Sequence, residues 1–346
     1  MKYTQLGQTD VQISKICLGT MTFGQQNSRE EAWKQIDMAK GRGVNFMDTA
    51  EMYPVPANAA TQGSTEQFIG DYFAKNKKRN EWIIATKVTG PGKHVSHIAG
   101  HLGFSKERMR DAIQKSLKRL HTDHIDLYQL HWPERPTNCF GRLGYPVENA
   151  GEWIDNFEEV IHTLWQFREE GLIRAWGLSN ETPWGLMRAL KVSESYDNFF
   201  PATIQNPYNL LNRTFEVGLS EMAMREGVGL LAYSPLAFGL LTGKYHDQSA
   251  SSESRLNQFP QMARYSSDVS FEVASQYINL AKEYHLSPAQ MGIAYILKRP
   301  FLYSVIAGAT SLKQLSENID SANMELPDEL LRKIEDIHKS HSNPAP

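Results

Sequence analysis

Asp48, Tyr53, Lys87 and His131 are the residues of this chain whose types and spacing could do chemistry. Three of them close apolar runs that read as strands: VNFMD ends in Asp48, EWIIATK in Lys87 and HIDLYQLH in His131. Tyr53 follows Asp48 by five residues, in the turn after that run. Core strands have little reason to end in an aspartate, a lysine or a histidine, and three successive ones would aim those groups at one edge of a sheet. A free tyrosine titrates near pH ~10 and is a poor acid at neutrality. A neighbouring ammonium favours the phenolate, so Lys87 is expected to lower the Tyr53 pKa, with Asp48 holding Lys87 charged and in place. His131 could hydrogen-bond a carbonyl oxygen and orient it. Together the four would pass a proton from Tyr53 to a carbonyl oxygen while a hydride reaches its carbon. Singly, each has a plainer reading: Asp48 a turn cap, Tyr53 a packing residue, Lys87 a surface lysine at a strand exit, His131 a satisfied core histidine. It is the constellation that points to chemistry.

These residues need a sheet to position them. Eight strand-like runs span 15–19, 44–48, 81–87, 124–131, 173–179, 201–206, 228–234 and 303–308. They are nearly continuous apolar runs, as strands buried on both faces should be. Amphipathic helices lie between them; in 105–121 Met109, Ala112, Ile113, Leu117 and Leu120 share a face, and in 156–170 Phe157, Val160, Ile161 and Leu164 do. Capping pairs are expected at Ser28 with Glu31, Ser64 with Gln67, and Ser287 with Gln290 behind Pro288. A short hairpin opens the chain. Strict alternation with no mid-chain linker predicts an α/β fold, a single (β/α)₈ TIM barrel over 1–346. A doubly wound two-domain protein is the alternative, but no GxGxxG follows a strand. Two long loops (132–153 and 236–268) follow the fourth and seventh strands, on the face where such barrels carry their sites. The first leaves directly after His131 and Trp132. It is expected to be irregular, to fold over the mouth and to wall the substrate pocket, with Phe140 and Tyr145 ordering it. A last helix is expected over 327–341.

The composition narrows the class without naming a reaction. Of 346 residues 41% are hydrophobic and 22% charged, as in ordinary globular proteins, and a net charge of −3 gives no support to nucleic-acid or membrane-surface binding. The N-terminus lacks a secretory apolar core and no run reaches membrane-spanning length. Cys17 and Cys139 stand far apart, which fits free thiols and a cytoplasmic protein. No histidine pair at ligand spacing adjoins a strand end, so no metal is expected. Nothing in the sequence bears on oligomeric state.

The constellation resembles the catalytic tetrad of the aldo-keto reductases, and the resemblance runs through nearly the whole chain. GVNFMDTAEMY (43–53) is similar to the family signature, with Asp48 and Tyr53 as its catalytic pair; ATK holds the matching Lys87 and LHW the matching His131. The details of 52–66 and 131–145 resemble most the branch of the bacterial Tas-type reductases, related to potassium-channel β subunits. The resemblance implies NADPH as cofactor and a small-molecule carbonyl compound as substrate. LGTMTFG (18–24) resembles the first-strand segment, which sets Gly19, Thr20 and Met21, together with Asp48, beside the cofactor. GLSN and IQNPYN look like the nicotinamide segments, with Ser179 and Asn180 on the carboxamide and Gln205 nearby. AYSPLAFGLLTGKY (232–245) looks like the covering loop, with Tyr233 on the nicotinamide ring and Ser234, Leu236 and Gly239 along the pyrophosphate. GATSLKQLSEN (308–318) looks like the adenosine end, with Gly308, Thr310, Ser311, Gln314, Glu317 and Asn318. Many members carry a lysine at Gly308 and an arginine at Gln314 to hold the 2′-phosphate. Neither is basic here, and the channel-subunit branch implies Lys244 and Arg255 for that task. Met21, Tyr53 and Trp132 would line the apolar part of the substrate pocket.

Two other functions compete. A nucleotide-sensing regulatory subunit of channel-β type would make the chemistry secondary; the subunits resembled lack the histidine of the tetrad, and His131 is present. A Schiff-base aldolase built on Lys87 explains the lysine but leaves Tyr53 and the 308–318 segment idle.

Overall fold

The computed structural model describes residues 1–346 apart from Ala150, Glu152, Gln248, Gln261 and Met262. The first two lie in the loop after the fourth barrel strand and the others in the loop after the seventh. The opening hairpin pairs β1 (Tyr3–Gln5) with β2 (Gln12–Ser14). The eight apolar runs become β3 (Ile16–Gly19), β4 (Phe46–Asp48), β5 (Ile83–Val88), β6 (Ile125–Leu130), β7 (Ile173–Ser179), β8 (Thr203–Pro207), β9 (Gly229–Tyr233) and β10 (Leu302–Gly308). Each pairs in parallel with the next, and β10 returns to β3 through Val305↔Ile16 and Gly308↔Gly19, closing a (β/α)₈ barrel.

Why the polar residues meet follows from the period of two along a strand. The lower inner layer is apolar: Cys17, Phe46, Ala85, Leu127, Ala175 and Leu231 pack together, with Leu6, Val11 and Ile13 of the hairpin beneath them. Two residues further along the same strands the inward positions read Gly19, Asp48, Lys87, Gln129, Gly177 and Tyr233. The register sets Gly19 beside Asp48, Asp48 beside Ala85, and Lys87 beside Gln129. The intervening residues, among them Leu18, Met47, Ile84, Tyr128, Trp176 and Leu230, face the helical shell and fill the main core. The interior thus changes from hydrocarbon to polar as it approaches the C-terminal edge.

The helical shell follows the amphipathic pattern, with helices at Lys106–Leu120 and Phe157–Glu169 and a last one at Asp328–Ser340. Ser28 and Glu31 form a reciprocal capping box, and Ser287 accepts from the Gln290 amide. The cap expected at Ser64 is corrected. Gly63 is the N-cap at φ 81°, and Ser64 is already the first residue of the helix Ser64–Asn76. The entering turn is fixed elsewhere: the Gly63 amide donates to the Tyr53 carbonyl at 2.9 Å and the Thr65 hydroxyl to the Phe23 carbonyl at 2.7 Å. Among the described residues no helix is long and apolar enough to cross a membrane, and no three side chains group as metal ligands. Both cysteines are free.

Candidate functional site

Lys87 is the centre of the mouth. Its side chain is wholly buried, and its ammonium donates to Asp48 Oδ2 at 2.7 Å, to the Thr49 carbonyl at 2.8 Å and to the Tyr53 hydroxyl at 3.4 Å. A buried ion pair survives only if its remaining lone pairs are satisfied. Here Asp48 Oδ1 accepts from Gln205 Nε2 at 2.8 Å and from Gln129 Nε2 at 3.3 Å. The His131 ring meets the Tyr53 ring edge-on at 5.8 Å, and its Nδ1 is buried with no partner among the described residues. All four residues expected to act together are therefore brought together. Lys87 lies one residue inside the end of β5, and His131 one residue past β6.

The electrostatics differ from the sequence expectation in one respect. Burial raises the Tyr53 pKa above its ordinary value of 10.0; Lys87 pulls it down, as expected, but does not cancel the burial. Burial likewise works against the Lys87 ammonium, yet Asp48 and Tyr53 outweigh it and hold that pKa above 10.5. His131 is held well below 6.5, first by burial and then by the Lys87 and His94 charges, so its imidazole is neutral at physiological pH.

Ser179, Asn180, Gln205 and Tyr233 form a second polar row beside this centre. Ser179 Oγ donates to the Gln205 carbonyl at 3.0 Å, and Asn180 Nδ2 to the His131 carbonyl at 2.9 Å. The Tyr233 hydroxyl donates to Asn180 Oδ1 at 2.6 Å. Asn180 has a φ of 54°, which turns the chain sharply at the end of β7. Gln205, expected near a carboxamide, has its amide nitrogen on Asp48 Oδ1 and so also supports the ion pair.

After β9 the chain winds through positive φ at Ser234, Ala237, Phe238 and Gly239, with Leu236 between them. A Cβ at Gly239, whose φ is 92°, would stand 2.9 Å from Lys244 Cε. Lys244 and Arg255 lie close enough that the arginine lowers the lysine's pKa, after burial as the larger cause. The Arg255 guanidinium sits 5.3 Å from the Phe238 ring and near enough to Tyr53 to act on its charge. Neither cation has a carboxylate partner among the described residues.

The segment after β10 is tied down by hydrogen bonds of its own. Ser311 caps the helix Leu312–Asp320, and Gln314 Oε1 accepts from the Thr310 amide and hydroxyl at 3.0 Å each. Glu317 accepts the Ser287 hydroxyl, and Asn318 Nδ2 reaches the Gly308 carbonyl at 3.4 Å. Gly308 is exposed, and a Cβ there would meet nothing closer than 3.5 Å. Across the mouth, Thr20 Oγ1 donates to the Asp48 carbonyl at 2.7 Å, and Met21 packs on the cluster of Tyr53 and Trp132.

Sequence reasoning overlooked two parts. Gln129 hides inside an apolar strand run, and only the inward period would have exposed it. The loop after β5 supplies a wall of the pocket: Val95, Ile98 and Leu102 pack with Tyr53 and Trp132, and His94 stacks on Trp132 at 5.7 Å. The signal was the Gly90-Pro91-Gly92 run. A Cβ at Gly90 would stand 2.5 Å from Trp132 Nε1, which donates to the Pro91 carbonyl at 2.9 Å. Among its described residues the loop after β6 is irregular apart from a turn at Val147–Asn149, and Phe140 lies 5.7 Å from Trp132, so it borders the mouth.

Comparison with known proteins agrees with this geometry. Residues 15–339 match the model of the Aldo/keto reductase family. The chain is 43% identical over the whole of both chains to Protein tas of Escherichia coli. It is 32% identical to the uncharacterized oxidoreductase YrpG of Bacillus subtilis, covering 100% of this chain and 98% of that one. With a probable voltage-gated potassium channel subunit beta of Arabidopsis thaliana it shares 30% identity over 98% and 97% of the two chains. A matching barrel, a buried aspartate–lysine pair against a tyrosine, and full-length similarity to oxidoreductases converge: the chain belongs to the aldo/keto reductase family.

Proposed function

We propose that the chain is an NADPH-dependent carbonyl reductase that turns an aldehyde or ketone into an alcohol, with Tyr53 as proton donor. The observation that carries this is the buried Asp48–Lys87–Tyr53 chain, with the neutral His131 edge-on to the phenol. The residues present fit a nicotinamide dinucleotide. The His131 Nδ1 is buried with no hydrogen-bond partner among the described residues, and the neighbouring cations Lys244 and Arg255 call for an anion such as a phosphate. Bound NADPH would supply the hydride. Ser179, Asn180 and Gln205 would border its nicotinamide and Tyr233 would cover the ring. The 308–318 segment would meet its adenosine end. Tyr53 holds its proton because burial keeps it un-ionised, and Lys87 stabilises the phenolate left behind. His131, held neutral, orients the carbonyl oxygen without competing as an acid.

Two measurements test the reading. Steady-state oxidation of NADPH and NADH with a panel of aldehydes, ketones and quinones should show turnover with NADPH preferred. Lys244→Glu should weaken NADPH binding on the order of 10- to 100-fold while changing NADH far less, since a charge-assisted phosphate contact is lost. Equal losses would move the 2′-phosphate contact elsewhere.

The pH profile follows from the same groups. Reduction needs a protonated Tyr53, so kcat should stay level through neutrality and fall only as pH rises above the ordinary tyrosine value of 10.0. His131 is already neutral above 6.5, so no inflection should appear there. A kcat that rose or fell through pH ~6.5 would give the imidazole a different role.

A further inference from the structure

A cleft of about 230 Å³ opens beside the catalytic mouth, between the loop after β6 and the residues that follow β7 and β8. Phe140, Asn180, Asn206 and Arg264 line it. Two of these also border the reacting centre: Asn180 holds the His131 carbonyl, and Phe140 lies against Trp132, whose ring is 4.9 Å from that of His131. The cleft is thus one aromatic layer from the catalytic imidazole.

Its floor is cationic. The half-buried Arg264 donates from NH1 to the Tyr233 hydroxyl at 3.2 Å, and its guanidinium stands 5.9 Å from the Phe140 ring. Among the described residues it has no carboxylate within ion-pair distance. Glu181, an acid that shares the cleft, is already engaged by Arg135 and by the Thr182 amide, and Pro346, which also lines it beside Gly141, makes no ion pair with Arg264. A second cation, Arg142, also lines the cleft. A planar fork of donors with no anionic partner, set among asparagine amides, matches a carboxylate.

We propose that Arg264 takes the carboxylate of the substrate, so that this chain prefers carbonyl compounds bearing a carboxylate about one aromatic ring away from the reacting carbon. The proposal rests on the carbonyl-reductase reading. Arg264 is a specificity residue here; it touches no reacting atom.

The test compares 4-formylbenzoate and 4-formylcinnamate with their methyl esters, using the NADPH-loaded enzyme. Wild type should favour at least one acid over its ester in kcat/KM by roughly 10- to 100-fold, the worth of a charged hydrogen bond. Arg264→Gln, which keeps a donor for Tyr233, should remove that preference through KM while ester turnover and NADPH affinity stay close to wild type. Arg264→Lys should restore part of it. No acid preference in wild type, an unchanged preference in Arg264→Gln, or parallel losses for acid and ester would each overturn the proposal, the last by making Arg264 a clamp on Phe140 and Tyr233. If no aldehyde is reduced at all, the reductase reading falls separately. Binding of 4-methylbenzoate to the NADPH complex, measured calorimetrically in wild type and Arg264→Gln, then decides the anion site alone: binding lost in the variant upholds it, and equal or absent binding overturns it.

Discussion

Tyr53→Phe should abolish most carbonyl reduction while leaving the barrel and NADPH binding intact. The phenol makes one described hydrogen bond, the 3.4 Å contact from Lys87, and its ring packs in the cluster with Trp132 and Met52, which phenylalanine can fill equally well. Only the transferable proton is lost, and general acid catalysis is worth about 10² to 10⁴ in rate. The measurement is single-turnover reduction of a good aldehyde, with cofactor affinity followed by fluorescence. A Tyr53→Phe enzyme running near the wild-type rate would remove the tyrosine from the mechanism and point to a water or to His131.

Lys87→Met should act on stability as well as rate. It strands the Asp48 carboxylate in a buried layer, where among the described residues the Gln129 and Gln205 amides remain to solvate it. Breaking a buried pair from one side typically costs about 3–5 kcal/mol, so denaturant midpoints should fall clearly and the Asp48→Asn, Lys87→Met double variant should recover part of the loss. The pH dependence has a definite sign. The folded pKa of Lys87 lies above its ordinary 10.5, so its contribution is whole below that value and disappears as pH rises through the folded one. His131 acts at the other end: buried and neutral, it costs stability as pH falls below 6.5, where the unfolded imidazole takes up a proton and the folded one does not. A Lys87→Met protein as stable as wild type would mean that Asp48 is protonated or solvated in the fold.

The strand order and the four polar residues were legible because each strand is a distinct apolar run closed by a group that has no place in a core. VNFMD and EWIIATK carry the position of Asp48 and Lys87 in their pattern alone. The partners of those groups were harder to read. Gln129 and Gln205 look like interruptions of a strand until the closed barrel aims both side chains inward, where they meet the Asp48 carboxylate. The wall formed by Val95 and Ile98 comes from a loop whose path is set by the packing of Trp132 across the mouth, a tertiary fact with no local periodicity. Ser64 shows the same limit on a small scale: its capping pattern was sound, but the turn was fixed by the Tyr53 carbonyl and Phe23. The net pKa of Tyr53 depended on how deeply the ring is buried, which residue types alone do not state.

The pairing of β10 with β3 has a consequence for how the chain reaches this form. Val305 meets Ile16, and Ser304 Oγ donates to the Ser14 carbonyl at 2.8 Å across 290 positions of sequence. Until residues 302–308 have left the ribosome, β3 and β9 are open sheet edges presenting unpaired amides and carbonyls. Such edges invite pairing with other chains, and long-range parallel closure is slow and exposes collapsed intermediates to aggregation. Truncation just before Leu302 should therefore yield a chain that is held by chaperones or precipitates, although Asp48, Tyr53, Lys87 and His131 are all already present in it.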